Sequence, residues 1–290
     1  MAPLPDDTSL GPVRLRVSDR ARSQAWLERV LGLRTLSADA RDRSRHGSAS
    51  DEILVELRER PGVRPIPERG LLGLYHYALL LPSRADLGRF LVHLGELGEA
   101  YGASDHRFSE AIYLTDPDGI MVEVYADRPR ETWIRRGGDL VGALDPLDTG
   151  ALRREAGDTR WHGVPEGTCM GHLHFFTGDL TAAGRFYVDA LGFAVTTRTF
   201  PGALFVAAGG YHHHVGLNVW AAGQPVATED DAGLDAWSLV VPGAREREAL
   251  AERLRAHGAS ADDERESLFA HDPYGITVRV VADRAAAWTD

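Results

Sequence analysis

Residues 73–82 read GLYHYALLLP, and 160 residues later residues 233–242 read GLDAWSLVVP. Both stretches are apolar, open on Gly-Leu and close on Pro, as a buried strand leaving a sheet would. Working outward, DPDGIMVEVYADR (116–128) agrees with DPYGITVRVVADR (272–284) at nine of thirteen places. Upstream, Gly11, Asp19, Leu31 and Gly32 align with Gly171, Asp179, Leu191 and Gly192 at the offset of the first pair. An internal repeat decides architecture before any single element is assigned. The stretches 10–129 and 169–285 are copies of one another.

Each copy divides again. GPVRLRVSD (11–19) and GHLHFFTGD (171–179) alternate inward and outward residues and end on Asp, which predicts a strand running into a helix N-cap. Helices are predicted over 20–31, 84–97, 180–191 and 244–257, with Gly32 and Gly192 as C-caps. Three β-rich stretches follow each helix. The chain therefore reads as α+β, four βαβββ modules, with an N-terminal half over 1–129 and a C-terminal half over 169–290. A connector rich in Gly, Asp and Arg spans 130–168, with one short helix near 150–156.

Composition narrows the function classes. The 290 residues are 43% hydrophobic and 26% charged, which excludes a disordered chain. A net charge of −11 disfavours nucleic acid, whose phosphates need a Lys/Arg surface. The lone Cys169 allows neither an internal disulfide nor a cysteine zinc cage. No apolar run approaches the roughly 20 residues that span a bilayer. The segment Met1–Asp7 lacks the basic-then-apolar order of a signal peptide. The expectation is a cytoplasmic protein that binds neither nucleic acid nor membrane; a homo-oligomer is compatible with the sequence.

The order of elements, together with GLYHYALLLP, YLTDPDGIMVEVYADRP, GHLHFFTGDL…FYVDALGF and GGYHHHVGLNVW, resembles the vicinal oxygen chelate (glyoxalase / extradiol dioxygenase) superfamily. Within it, the chain is most similar to bacterial four-module catechol 2,3-dioxygenases. The resemblance covers all but the termini and the connector. It implies that paired modules curl into two incomplete barrels, and that a metal sits in one cup.

In that family each module offers one ligand position on its first strand and one on its last. Internal alignment places these at Pro12, His76, His172 and Ala236, and at Glu56, Glu123, Asn218 and Arg279. Modules one and four cannot hold a metal with Pro12, Ala236, Glu56 and Arg279; Glu56 and Arg279 read instead as an ion pair. Modules two and three offer His76, Glu123 and His172, the two-imidazole, one-carboxylate set of non-haem Fe(II) oxygenases. Glu123 stands among apolar neighbours on the strand face of Met121 and Tyr125, where an unpaired carboxylate would be costly. The set lies in one cup only if module two pairs with module three and module one with module four, so crossed pairing is expected.

The resemblance also implies an acid–base histidine near the end of a strand. Period-two alternation back from Asn218 sends His214 and His212 inward and His213 outward. His214 is the first candidate and His212 the second. Tyr113, ten residues before Glu123, matches a family tyrosine that hydrogen-bonds substrate. His174, Asn218 and His106 are candidates to line the pocket. DPDG and DPYG read as structural turns.

The function these features imply is extradiol cleavage of a catechol by O2 at mononuclear Fe(II), with Mn(II) as the alternative metal. The expected product is of the 2-hydroxymuconic semialdehyde type. The rival readings are a glyoxalase-like metal-dependent isomerase or thiol transferase, and a metal-free binding or resistance protein of the same fold. Having Asn218 where a second carboxylate would be needed argues against the first. Retention of His76, His172 and Glu123 argues against the second.

Overall fold

The computed structural model describes residues 3–264 and 267–288. Module one comprises β1 (Ser9–Val17), α1 (Arg20–Trp26), β2 (Arg34–Ala38), β3 (Arg43–Gly47) and β4 (Ile53–Glu59). Module two comprises β5 (Gly73–Leu80), α2 (Arg84–Leu97), β6 (Gly102–Asp105), β7 (Ser109–Thr115) and β8 (Met121–Asp127). The connector adds a small ribbon, β9 (Arg135–Arg136) with β10 (Asp139–Leu140), and α3 (Thr149–Glu155). Module three comprises β11 (Cys169–Phe176), α4 (Leu180–Gly184), β12 (Ala194–Thr197), β13 (Ala203–Ala207) and β14 (Val215–Asn218). Module four comprises β15 (Gly233–Val240), α5 (Ala244–Ala256), β16 (Ala261–Glu264), β17 (Ser267–His271) and β18 (Thr277–Val281).

The helix starts follow from side-chain capping. Asp19, Ser83 and Asp179 each accept a hydrogen bond from a backbone N–H in the first turn of the helix they precede. The helix predicted over 20–31 continues from α1 into a π-helical turn, Leu27–Leu31, and ends where Gly32 turns left-handed at φ 77°. The repeat behaves alike, α4 running into a π-helical Arg185–Ala190.

In every module the first strand pairs in parallel with the last, the crossover between them carrying the helix. The modules then join across the halves. One eight-stranded sheet has the order β16-β17-β18-β15-β1-β4-β3-β2, and the other β12-β13-β14-β11-β5-β8-β7-β6. Module one thus pairs with four through antiparallel β1 and β15, and module two with three through antiparallel β5 and β11. These are the two half-barrels, crossed as expected. One face of each sheet packs with the helices into a common core holding Leu15, Tyr77, Leu79, Leu173, Phe175, Trp237 and Leu239 with Leu27, Leu91 and Leu254. Burying such faces drives the fold at about 25 cal/mol per Å² of apolar surface. The opposite face of the second sheet forms a cup.

A glycine keeps that cup in shape. A Cβ at Gly171 would lie 1.9 Å from the Tyr125 hydroxyl, so only Gly lets this wholly buried tyrosine lie beside β11. The strand also carries a register shift between Met170 and His172, which sets the direction of the next side chain.

Candidate metal centre

His76 on β5, Glu123 on β8 and His172 on β11 converge in the cup. The two Nε2 atoms lie 3.4 Å apart, and each lies 3.1 Å from Glu123 Oε2. Three donors bound to a common ion at about 2.1 Å, 90–110° apart, would stand about 3.0–3.4 Å from each other. The donor set therefore fits a single divalent ion. All three residues are buried, in a sheet whose neighbouring strands β11, β5 and β8 supply one donor each.

The electrostatics agree with the geometry. Burial pushes both imidazoles down from their usual pKa, despite the pull of Glu123, and so keeps them neutral. Burial alone would raise the Glu123 carboxyl, but His172 and His76 outweigh it and hold it well below its usual range. Neutral imidazoles and an ionised carboxylate are the forms a divalent cation requires. The Nδ1 atoms of His76 and His172 are buried without a protein partner.

A cavity of about 290 Å³ opens against these donors, lined by Tyr75, Phe200, Phe205, Trp220, Met121 and Leu144 together with His106, Phe108, Tyr113, His174 and His213. Tyr113 lies opposite Glu123 in the β7–β8 register. The His106 ring contacts the Ala143 carbonyl through Nδ1 at 2.9 Å and the Tyr113 hydroxyl through Nε2 at 2.7 Å. A carbonyl only accepts, so His106 Nδ1 donates there, and a ring carrying one proton can only accept at Nε2, where the Tyr113 hydroxyl meets it. His174 also lines the cavity, its Nε2 accepting from the Asn218 amide at 3.0 Å. Asn218 itself stands behind His174 and outside the lining, its Oδ1 accepting from Trp220 N–H. A larger cavity, about 540 Å³, lies on the other sheet beside Arg14, Arg16 and Arg58, away from the His–Glu–His donors.

The histidine triplet departs from the expected phase. His213, not His214, lines the cavity, its ring centroid 4.2 Å from that of His172. His214 turns away: its Nδ1 accepts from Ala208 N–H, and the ring packs on Tyr211 and Phe193. Burial drives its pKa down to about 3. His212 lies behind His213, between that ring and Asp127. The physical reason is that β14 begins only at Val215; the triplet sits in the bend after Gly209 and Gly210, both at positive φ, where period-two alternation does not apply. The triplet itself was the signal for His213. The sequence does not single out Asp127, although β8 alternation carries it to the side of Glu123 and Tyr125.

The equivalent positions of the first sheet hold no comparable set among the described residues. Pro12 and Ala236 offer no ligand atom. Buried Glu56 pairs with Arg14 and Arg45, not with Arg279 as expected. Arg279 donates instead to Ser267 Oγ and the Ala287 carbonyl, over the Phe269 ring. Among the described residues no helix is long and apolar enough to cross a membrane.

Comparisons with known proteins agree with this architecture. A model of the Glyoxalase/Bleomycin resistance protein/Dioxygenase superfamily matches residues 9–124 and 170–284. The chain is 41% identical over 278 residues to a catechol-2,3-dioxygenase of Bacillus subtilis (strain 168), covering 94% of this chain and 96% of that one. Among solved structures it is similar to glyoxalase I from Zea mays, at TM-score 0.57 and 14% identity over 96% of this chain and 93% of that one. It is also similar to the cppA protein of Streptococcus pneumoniae TIGR4, at TM-score 0.53 and 10% identity over 94% and 99%. With both halves matched in sequence and the paired βαβββ sheets present, this chain belongs to the glyoxalase/bleomycin resistance protein/dioxygenase superfamily.

Proposed function

We propose that the protein is an extradiol dioxygenase that cleaves a small, uncharged catechol with O2 at a single Fe(II). The observation that carries this reading is the His76–Glu123–His172 set opening onto an apolar cavity. Similarity to the Bacillus subtilis catechol-2,3-dioxygenase supports it. Held by these three residues, iron would keep coordination positions open and supply the redox chemistry between diol and O2.

The chain's own groups account for the rest. The cavity, about 290 Å³, is at the lower end of the range for small-molecule sites, which suits a single ring. Tyr75, Phe200, Phe205 and Trp220 offer aromatic faces to that ring and exclude water. Among the described residues the lining contains no Lys or Arg, so a carboxylate on the substrate would be buried without a counter-charge. His213 stands beside His172 as the base that takes a catechol hydroxyl proton and later returns one. Tyr113 places its hydroxyl at the cavity wall, within hydrogen-bonding reach of both His106 Nε2 and the Glu123 carboxylate, where it can meet a second substrate hydroxyl. One catechol and one O2 yield one ring-opened semialdehyde, with the C–C bond beside the diol broken and both oxygen atoms retained.

The test is anaerobic reconstitution with Fe(II), then addition of catechol and air. A yellow ring-opened product with one O2 consumed per catechol is expected. Stoichiometric iron binding with neither O2 uptake nor yellow product would overturn the proposal.

A further inference from the structure

A hydrogen-bond chain runs from the rim of the second sheet to the cavity. Asp127 Oδ1 lies 2.9 Å from His212 Nε2, and His212 Nδ1 lies 2.7 Å from His213 Nδ1. Both rings are buried, at 1% and 6% exposure, while the Asp127 carboxylate stands at the rim, 24% exposed. The His212 ring cannot turn freely: it stacks on Phe108 at 4.6 Å and packs at a tilt against Tyr211 at 4.0 Å, with Trp133 edge-on at 5.5 Å.

These contacts have a single proton arrangement when each imidazole carries one proton. The Asp127 carboxylate only accepts, so His212 Nε2 carries the proton and donates it. His212 Nδ1 is then a bare acceptor, and the His213 Nδ1 it meets must be the donor. His213 Nε2 is left unprotonated, and among the described residues no hydrogen bond occupies it. We infer that Asp127 and His212 are positioning residues that lock His213 in its Nδ1–H form, leaving the Nε2 lone pair on the side of the ring away from His212. A free neutral imidazole would divide between two tautomers, and only this one accepts a proton at Nε2.

The inference deepens the ring-cleavage reading, and its kinetic consequence rests on it; the tautomer does not. The experiment therefore has two arms on the full-length chain. In the first, ¹⁵N NMR of histidine-labelled, metal-free protein reads the His213 ring, assigned with His213→Phe. His213 should be the Nδ1–H tautomer in the parent, and should shift toward Nε2–H in His212→Phe, which keeps the aromatic stacking but removes both hydrogen bonds. In the second, the Fe(II)-loaded His212→Phe and Asp127→Ala variants should bind iron and catechol as the parent does. Their kcat should fall roughly 10–100-fold, the scale for losing an orienting partner. Asp127→Glu, which restores a carboxylate, should recover much of the loss, whereas a merely structural defect would not be rescued this way. A parent His213 in the Nε2–H form, or a His212→Phe protein with unchanged tautomer and kcat, would overturn the inference. A correct tautomer response in a protein without ring cleavage would uphold the lock and sink the ring-cleavage reading alone.

Discussion

The Nε2 atoms of His76 and His172 stand 3.4 Å apart although 96 residues separate them and they enter from modules in different halves of the chain. The contact exists because β5 and β11 are antiparallel neighbours, with His76 opposite His174 and His172 opposite Ala78. A site built across this seam needs both modules, and its loss should be abrupt.

Removing one donor tests that dependence. His76→Ala should lower bound iron to less than about a tenth of the parent and abolish turnover together with it. A ligand that binds only the folded state stabilises it by about 2.7 kcal/mol at 100 times its dissociation constant. Added divalent metal should therefore raise the melting temperature of the parent but leave that of His76→Ala unmoved. Metal analysis and thermal melts check both.

The two neighbouring histidines should separate cleanly. His213→Phe should keep its iron and lose roughly 10²-fold or more in kcat, since its ring lies beside His172 without belonging to the three donors. His214→Phe should stay within a few-fold of the parent, because its ring faces Tyr211 and Phe193, outside the cavity lining. Steady-state kinetics on the two variants distinguish these positions.

Substrate charge should matter more than substrate size. Among the described residues no Lys or Arg lines the cavity, so kcat/KM for 3,4-dihydroxyphenylacetate should fall at least roughly 10²-fold below that for catechol, equivalent to about 2.7 kcal/mol. Leu144→Arg, at the exposed edge of the lining, should narrow that gap by providing a counter-charge. Paired assays on the two substrates measure it.

Buried histidines should make the fold acid-sensitive. Burial pushes His46 down to about 4 from 6.5, while its ring bonds Ser44 and Thr35. A base whose folded pKa is depressed binds fewer protons in the native state than in the unfolded one. Its contribution is full above pH 6.5 and is lost as pH falls from 6.5 toward 4. Between pH 7.5 and 5.0 the parent should lose about 1–2 kcal/mol more than His46→Gln does. Urea titrations at the two pH values give the difference.

Much of this protein is readable before folding. The repeat over 73–82 and 233–242, the Asp and Ser caps, and the alternation around Glu123 are local signals, because helix and strand periodicity and first-turn capping act over a few residues. Those signals, with the family resemblance, place the module order and nominate His76, Glu123 and His172. Pairing is not local. Both the crossed and the uncrossed arrangement satisfy every module's own pattern, and only the β1–β15 and β5–β11 registers place the three donors in one cup. The same limit governs the histidine triplet: its residues lie ahead of β14, in a bend shaped by Gly209 and Gly210 and by contacts with Phe108, Tyr211 and Asp127. Tertiary packing alone turns His213 toward the cavity and His214 away, because outside a ladder no backbone period dictates where a side chain points.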